Sequence, residues 1–88
     1  MLPKSERLIL DLLAAREKCY GLELVEASRG KLKRGGIYVT LGRMEAKGLV
    51  MSRAGDAGRR LYRMTGLGAR ARLAARIFAG QITVEAKG

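Results

Sequence analysis

The segment from Lys33 to Gly68 constrains this chain more than any other: KRGGIYVTLGRMEAKGLV followed by MSRAGDAGRRLYRMTGLG. Ile37, Leu41 and Met44 recur at helical spacing and make one apolar face. Arg34, Thr40, Arg43 and Lys47 fall on a different face of the same helix, read from about Gly35 to Lys47. Gly48 closes it, because a residue without a Cβ takes the left-handed conformation that ends helices. Leu49 to Arg53 and Arg60 to Met64 then read as two short strands, joined by Ala54-Gly55-Asp56-Ala57-Gly58-Arg59. A helix with one buried and one basic face, followed at once by a basic hairpin, predicts a winged helix-turn-helix. That construction grips duplex DNA.

The charge is distributed to match. The formal net charge is +10, yet residues 1–28 carry four basic and five acidic side chains. Residues 29–76 carry thirteen basic and two acidic ones, a net of +11, and residues 77–88 balance at zero. The positive field therefore lies on the predicted helix and hairpin. Such a field attracts a polyanion and speeds encounter with it.

Eighty-eight residues make one small domain with one core. At 48% hydrophobic residues the chain is too apolar for a disordered basic tail. Its longest unbroken apolar runs are far short of a membrane span, and no signal-peptide pattern opens it, so a cytoplasmic protein of a bacterial, archaeal or phage-infected cell is expected. Cys19 is the single cysteine and there is no His, which excludes an internal disulfide, the common Cys/His zinc sites and a Cys–His nucleophile pair. No two acids sit in an apolar setting that would split their proton affinities, and Glu6, Glu17 and Glu23 read as solvated helix charges. The glycines of Arg34-Gly35-Gly36 and Gly66-Leu67-Gly68 lack the spacing of a phosphate loop. Nothing here calls for an enzyme, a metal or a cofactor.

Helices lie on either side of this segment. Pro3 suits a first helical turn and Ser5 a cap, so helix one runs from about Pro3 to Ala15, with Leu8, Ile9, Leu12 and Leu13 buried and Leu10 widening the stripe. Cys19 falls at a helix junction. Tyr20-Gly21 opens helix two, which Ser28-Arg29-Gly30 stops. Lys31-Leu32-Lys33 is expected as a very short strand beside the hairpin. Thr65 caps helix four, expected from about Gly66 to Ala79 and ended by Gly80. The fold class is thus mostly α with a small β-hairpin wing. Residues 1–65 form the winged helix-turn-helix, 66–80 a C-terminal dimerisation helix and 81–88 a flexible tail.

Tyr20-Gly21-Leu22-Glu23-Leu24, Arg34-Gly35-Gly36-Ile37-Tyr38-Val39-Thr40-Leu41, Met44-Glu45-Ala46-Lys47-Gly48-Leu49-Val50, Gly58-Arg59-Arg60 and Tyr62-Arg63-Met64-Thr65 together resemble the PadR-like winged-helix transcriptional regulators of prokaryotes. The resemblance spans about Leu8 to Ala74. It implies a DNA-binding homodimer, usually a repressor, whose C-terminal helix supplies the dimer contact. The family pattern usually has Pro where this chain has Val39, and often Thr or Ser where Gly36 stands. One C-terminal helix leaves little material for a large effector pocket, which argues against small-molecule sensing.

Thr40 and Arg43 are the candidates for base edges, because a helix in the major groove reads with its exposed N-terminal half. Lys33 and Arg34 at the helix start suit phosphates, with Gly36, Val39 and Lys47 along the same surface. Tyr38 either packs its ring or reaches a phosphate with its hydroxyl. Arg53, Arg59 and Arg60 at the wing suit the minor groove or its backbone. Arg63 alternates with Tyr62 and Met64 and so points away from the core. Leu67, Leu73, Ile77 and Phe78, with Leu8 of helix one, exceed what one small domain covers, so a second copy is the expected cover. Arg70, Arg72 and Arg76 are read as solvated or paired across that contact. The partners expected are therefore a pseudo-palindromic DNA operator and a second copy of the chain. The alternative is a winged-helix RNA-binding or protein-assembly module using the same basic face. A-form RNA closes its major groove to a helix and favours stacking aromatics, which are few here.

Overall fold

A computed structural model describes the backbone of residues 2–87 and the side chains of residues 2–79. In chain order it has α1 (Lys4–Arg16), β1 (Lys18–Tyr20), α2 (Gly21–Ala27), α3 (Ile37–Ala46), β2 (Val50–Ala54), a 3₁₀ turn (Asp56–Gly58), β3 (Arg60–Met64) and α4 (Gly66–Lys87). The chain is a winged helix.

Ile9, Leu10 and Leu13 of α1 are fully buried, and Leu24, Ile37, Leu41, Met44 and Val50 close the core around them. Leu10 is covered as its position on the widened stripe predicts, whereas Leu8 and Leu12 are only partly buried. Ser5 is not the cap. Pro3 is the N-cap residue, its carbonyl accepts the Arg7 N–H at 3.1 Å, and Ser5 lies inside the first turn. Glu6 is also not solvated. It is 2% exposed and held by the Lys47 ammonium.

The third strand is not Lys31–Lys33. The Leu32 N–H donates to Ser28 Oγ at 2.9 Å, Ser28 Oγ donates to the Val25 carbonyl at 2.7 Å, and Leu32 is buried. That backbone is taken up by the turn and has no ladder to join. Lys18–Tyr20 takes the place instead, in a sheet ordered β1-β3-β2 with both pairings antiparallel. Cys19 lies between α1 and α2, as expected, and is a buried strand residue opposite Tyr62. Burial first, then the Glu23 carboxylate, pushes the Cys19 thiol above its ordinary range, against a smaller lowering by Arg16. Burial also raises the Tyr62 phenol, with Glu45 and Tyr38 adding and Arg60 opposing.

Gly48 ends α3 as expected, with φ +78°. The Leu49 N–H reaches the Met44 carbonyl at 2.9 Å and the Gly48 N–H the Glu45 carbonyl at 3.0 Å, the paired bonds of a Schellman closure. Thr65 then locks α4 onto that closure. Its hydroxyl donates to the Gly48 carbonyl at 2.6 Å and accepts the Gly68 N–H at 3.0 Å. Gly68 permits the approach, since a Cβ there would collide with the Leu49 carbonyl oxygen. Gly80 does not end α4, which continues to Lys87. An interior Gly costs about 1 kcal/mol against Ala, too little to stop a helix between good formers such as Ala79 and Gln81. Backbone of residues 81–87, expected as a tail, is helical. Gly88 and the side chains of Ile82 and Val84 lie outside the described residues.

Candidate nucleic-acid interface

The exposed face of α3 comes from its periodicity. Ile37, Leu41 and Met44 turn inward, which leaves Val39, Gly42, Arg43 and Ala46 as a solvent-facing stripe at helical spacing. Val39 is 58% exposed, and Arg43 makes no hydrogen bond or ion pair among the described residues. This stripe is rotated from the expected Arg34-Thr40-Arg43-Lys47 face. Thr40 is half-buried and its hydroxyl donates back to the Gly36 carbonyl at 3.1 Å. Lys47 is turned to Glu6 at 2.9 and 3.0 Å. Of the four residues expected to share one face, Arg43 alone lies on the stripe, and Arg34 is exposed just before the helix.

The start of α3 is built on α2. Tyr38 lies over Gly21, where a Cβ would come within 2.7 Å of the ring, yet Tyr38 remains 48% exposed. Of the two expected roles, the structure shows the packing of the ring, and about half of the side chain still faces solvent. Gly36 is the N-cap residue, exposed with open space around it, and Lys33 Nζ is bonded to the Gly30 carbonyl at 2.8 Å.

The wing arginines divide between two sheet faces. Tyr62, Cys19 and Ser52 line the inner face, and the alternation puts Arg60 on that side. Arg60 Nη2 donates to Ser52 Oγ at 3.0 Å, and Ser52 Oγ donates to Glu45 Oε2 of α3 at 2.9 Å. The wing is thereby tied to the exposed helix. Arg63 and Arg53 lie on the outer face, in the rows Lys18–Arg63–Met51 and Tyr20–Leu61–Arg53. Arg59 stacks on the Tyr20 ring, 4.1 Å from its centroid.

On α4, Leu67, Leu73, Ile77 and Phe78 are all exposed, and a shallow apolar groove runs along Leu2, Ala71, Ala74, Ala75 and Phe78. Arg72 pairs through its Nε with Asp11 of the same chain at 2.8 Å. Among the described residues no three His, Cys, Asp or Glu side chains cluster as a metal site, and no helix is long and apolar enough to cross a membrane.

The model of the transcriptional regulator PadR-like family matches residues 9–74, from the middle of α1 into α4. The chain belongs to the PadR-like family. It is similar in structure to a PadR family transcription regulator from hypervirulent Clostridium difficile, with 28% identity and a TM-score of 0.73 over 94% of this chain and 97% of that one. A PadR family transcriptional regulator from Eggerthella lenta is 31% identical, with a TM-score of 0.71 over 94% of this chain and 75% of that one. RosR of H. salinarum is 28% identical, with a TM-score of 0.73 over 89% of this chain and 74% of that one. No curated protein matches the chain. Within this PadR-like chain, the residues that sequence reasoning passes over are Gly42, Tyr20 and Lys18. Gly42 is legible from the spacing 39-42-43-46, whereas the other two depend on a strand too short to announce itself.

Proposed function

We propose that this PadR-like chain is a sequence-specific duplex-DNA-binding regulator, a repressor acting as a homodimer. Helix α3 enters the major groove and the wing lies on the neighbouring backbone or minor groove. The observation that carries the reading is the exposed stripe of α3 with Arg43 unpaired at its centre. Arg43 suits a bidentate contact to guanine, Val39 suits a thymine methyl, and Gly42 keeps the helix backbone close to the base edges. Arg34 and Tyr38 suit phosphates at the helix start, and Arg59 and Arg60 suit the backbone beside it. Thr40 and Lys47 take lesser parts, since their polar atoms already have protein partners. Gly36 serves by closeness of backbone, and Arg53 and Arg63 serve the wing from its outer face.

The exposed Leu67, Leu73, Ile77 and Phe78 support a dimer through α4, with Leu8 at its margin. Two-fold symmetry then sets two α3 helices about 34–36 Å apart on a pseudo-palindromic operator. The test is a titration of the operator and a scrambled duplex across salt concentrations. With roughly six to ten phosphate contacts, affinity should fall about 10³–10⁵-fold between 50 and 200 mM salt. Arg43→Ala should lose about 1–3 kcal/mol on the operator and little on the scrambled duplex. A flat salt response, or equal binding to heparin and to every duplex, would overturn the reading.

A further inference from the structure

The tip of the wing is not a free hairpin. Tyr20, the last residue of β1 and the N-cap residue of α2, reaches across to it from outside. The Asp56 N–H donates to the Tyr20 hydroxyl at 2.9 Å. Gly55 passes so close to the ring that a Cβ there would lie 2.6 Å from Cε1. Arg59 lays its guanidinium over the same ring, 4.1 Å from the centroid, while its Nε donates to the Asp56 carbonyl at 3.3 Å. Tyr20 is itself fixed, because its backbone N–H donates to Glu23 Oε1 at 2.8 Å. Its neighbour Gly21 carries the Tyr38 ring. The wing tip, the start of α2 and the start of α3 therefore meet around Tyr20-Gly21.

Stacking uses the face of a guanidinium and leaves its in-plane N–H groups available. With Nε spent on Asp56, the two Nη groups of Arg59 have no hydrogen-bond partner among the described residues. They form a fork that suits a phosphate, already ordered before any ligand arrives. We infer that Tyr20 is a positioning residue for nucleic-acid binding: it holds the wing tip by its hydroxyl and presents Arg59 by its ring. The inference rests on the duplex-binding reading above.

The experiment measures duplex affinity against salt for the full chain and for Arg59→Ala, Tyr20→Leu, Tyr20→Phe and the Tyr20→Leu/Arg59→Ala double variant, with thermal melting of each. Arg59→Ala should lower the slope of log affinity against log salt by about 0.9 for each phosphate it no longer neutralises. Tyr20→Leu should lower it by the same amount, and the double variant should be no weaker than Arg59→Ala alone. Tyr20→Phe keeps the ring and loses the acceptor, so the Asp56 amide should exchange faster with solvent while the slope falls only in part. This conservative variant carries the test if Tyr20→Leu fails to fold. Additive losses in the double variant overturn the inference, because a residue that only supports the fold would weaken binding whether or not Arg59 is present. So does a Tyr20→Phe chain with wild-type exchange at Asp56. If the unaltered chain binds duplex with a steep salt slope and Tyr20→Leu matches it, the positioning role falls and the duplex reading stands. If the unaltered chain shows no salt slope, both fall together.

Discussion

Lys47 and Glu6, forty-one positions apart, close on each other at 2.9 and 3.0 Å across α3 and α1, and the carboxylate side chain is only 3% exposed. The end of the exposed helix is thereby anchored to the first helix of the core. A residue expected on the DNA side thus also has a partner inside the fold.

Lys47→Ala should therefore act on stability more than on binding. Removing it leaves a buried carboxylate without its partner, a loss of about 2 kcal/mol once discounted for the half-exposed ammonium. Denaturant unfolding checks the loss, and a duplex titration of the folded fraction should show little change. A larger effect on affinity than on stability would return Lys47 to the interface.

Gly42→Ala separates fold from function on α3. The position is exposed with nothing within 4 Å of an added Cβ, so the free protein should gain about 0.5–1 kcal/mol in thermal unfolding. If the stripe meets base edges, the same methyl should weaken operator binding while leaving the scrambled duplex unaffected. Unchanged operator affinity would place the groove contact elsewhere on the helix.

Gly68→Ala should destabilise by about 2 kcal/mol, because the neighbour it meets is the Leu49 carbonyl, which is backbone and cannot rotate aside. Gly66→Ala, two residues earlier with open space around it, is the control and should not destabilise. Unfolding midpoints of the two variants settle the comparison.

Leu73→Asp and Ile77→Asp test the dimer. These side chains are 59% and 54% exposed, so a charge there costs the single fold little. Each variant should sediment as a folded monomer and bind a half-site without cooperativity. A charged variant that stays dimeric, or an unaltered chain that is monomeric at micromolar concentration, would remove α4 as the contact.

Much of this architecture is legible in the residues because local chemistry decides it. Gly48 needs its positive φ to close α3, and Thr65 has the hydroxyl that a helix start requires. The strand Lys18–Tyr20 is not legible, since three residues give no alternation and its pairing depends on β3, more than forty positions later. Charge is a poor guide to the exposed face of α3, which lies about one position away from where the polar residues put it. Lys47 and Thr40 have partners for their polar atoms inside the fold, while Val39 and Gly42 face solvent without looking as though they should. Tyr20 cannot be assigned from its neighbours in sequence, because its work is done on residues 55–59.

The central place of β3 bears on how this chain is made. Strands β1 and β2 have no pairing with each other, and each waits for Arg60–Met64 to lie between them. A nascent chain that has delivered its first fifty-odd residues from the ribosome can collapse its helices but must keep two unsatisfied strand edges. Stop codons or protease cuts before Arg60 should therefore yield sticky, insoluble fragments rather than a shorter working regulator. The last five residues of the hairpin close both edges at once, and α4 follows onto a finished sheet.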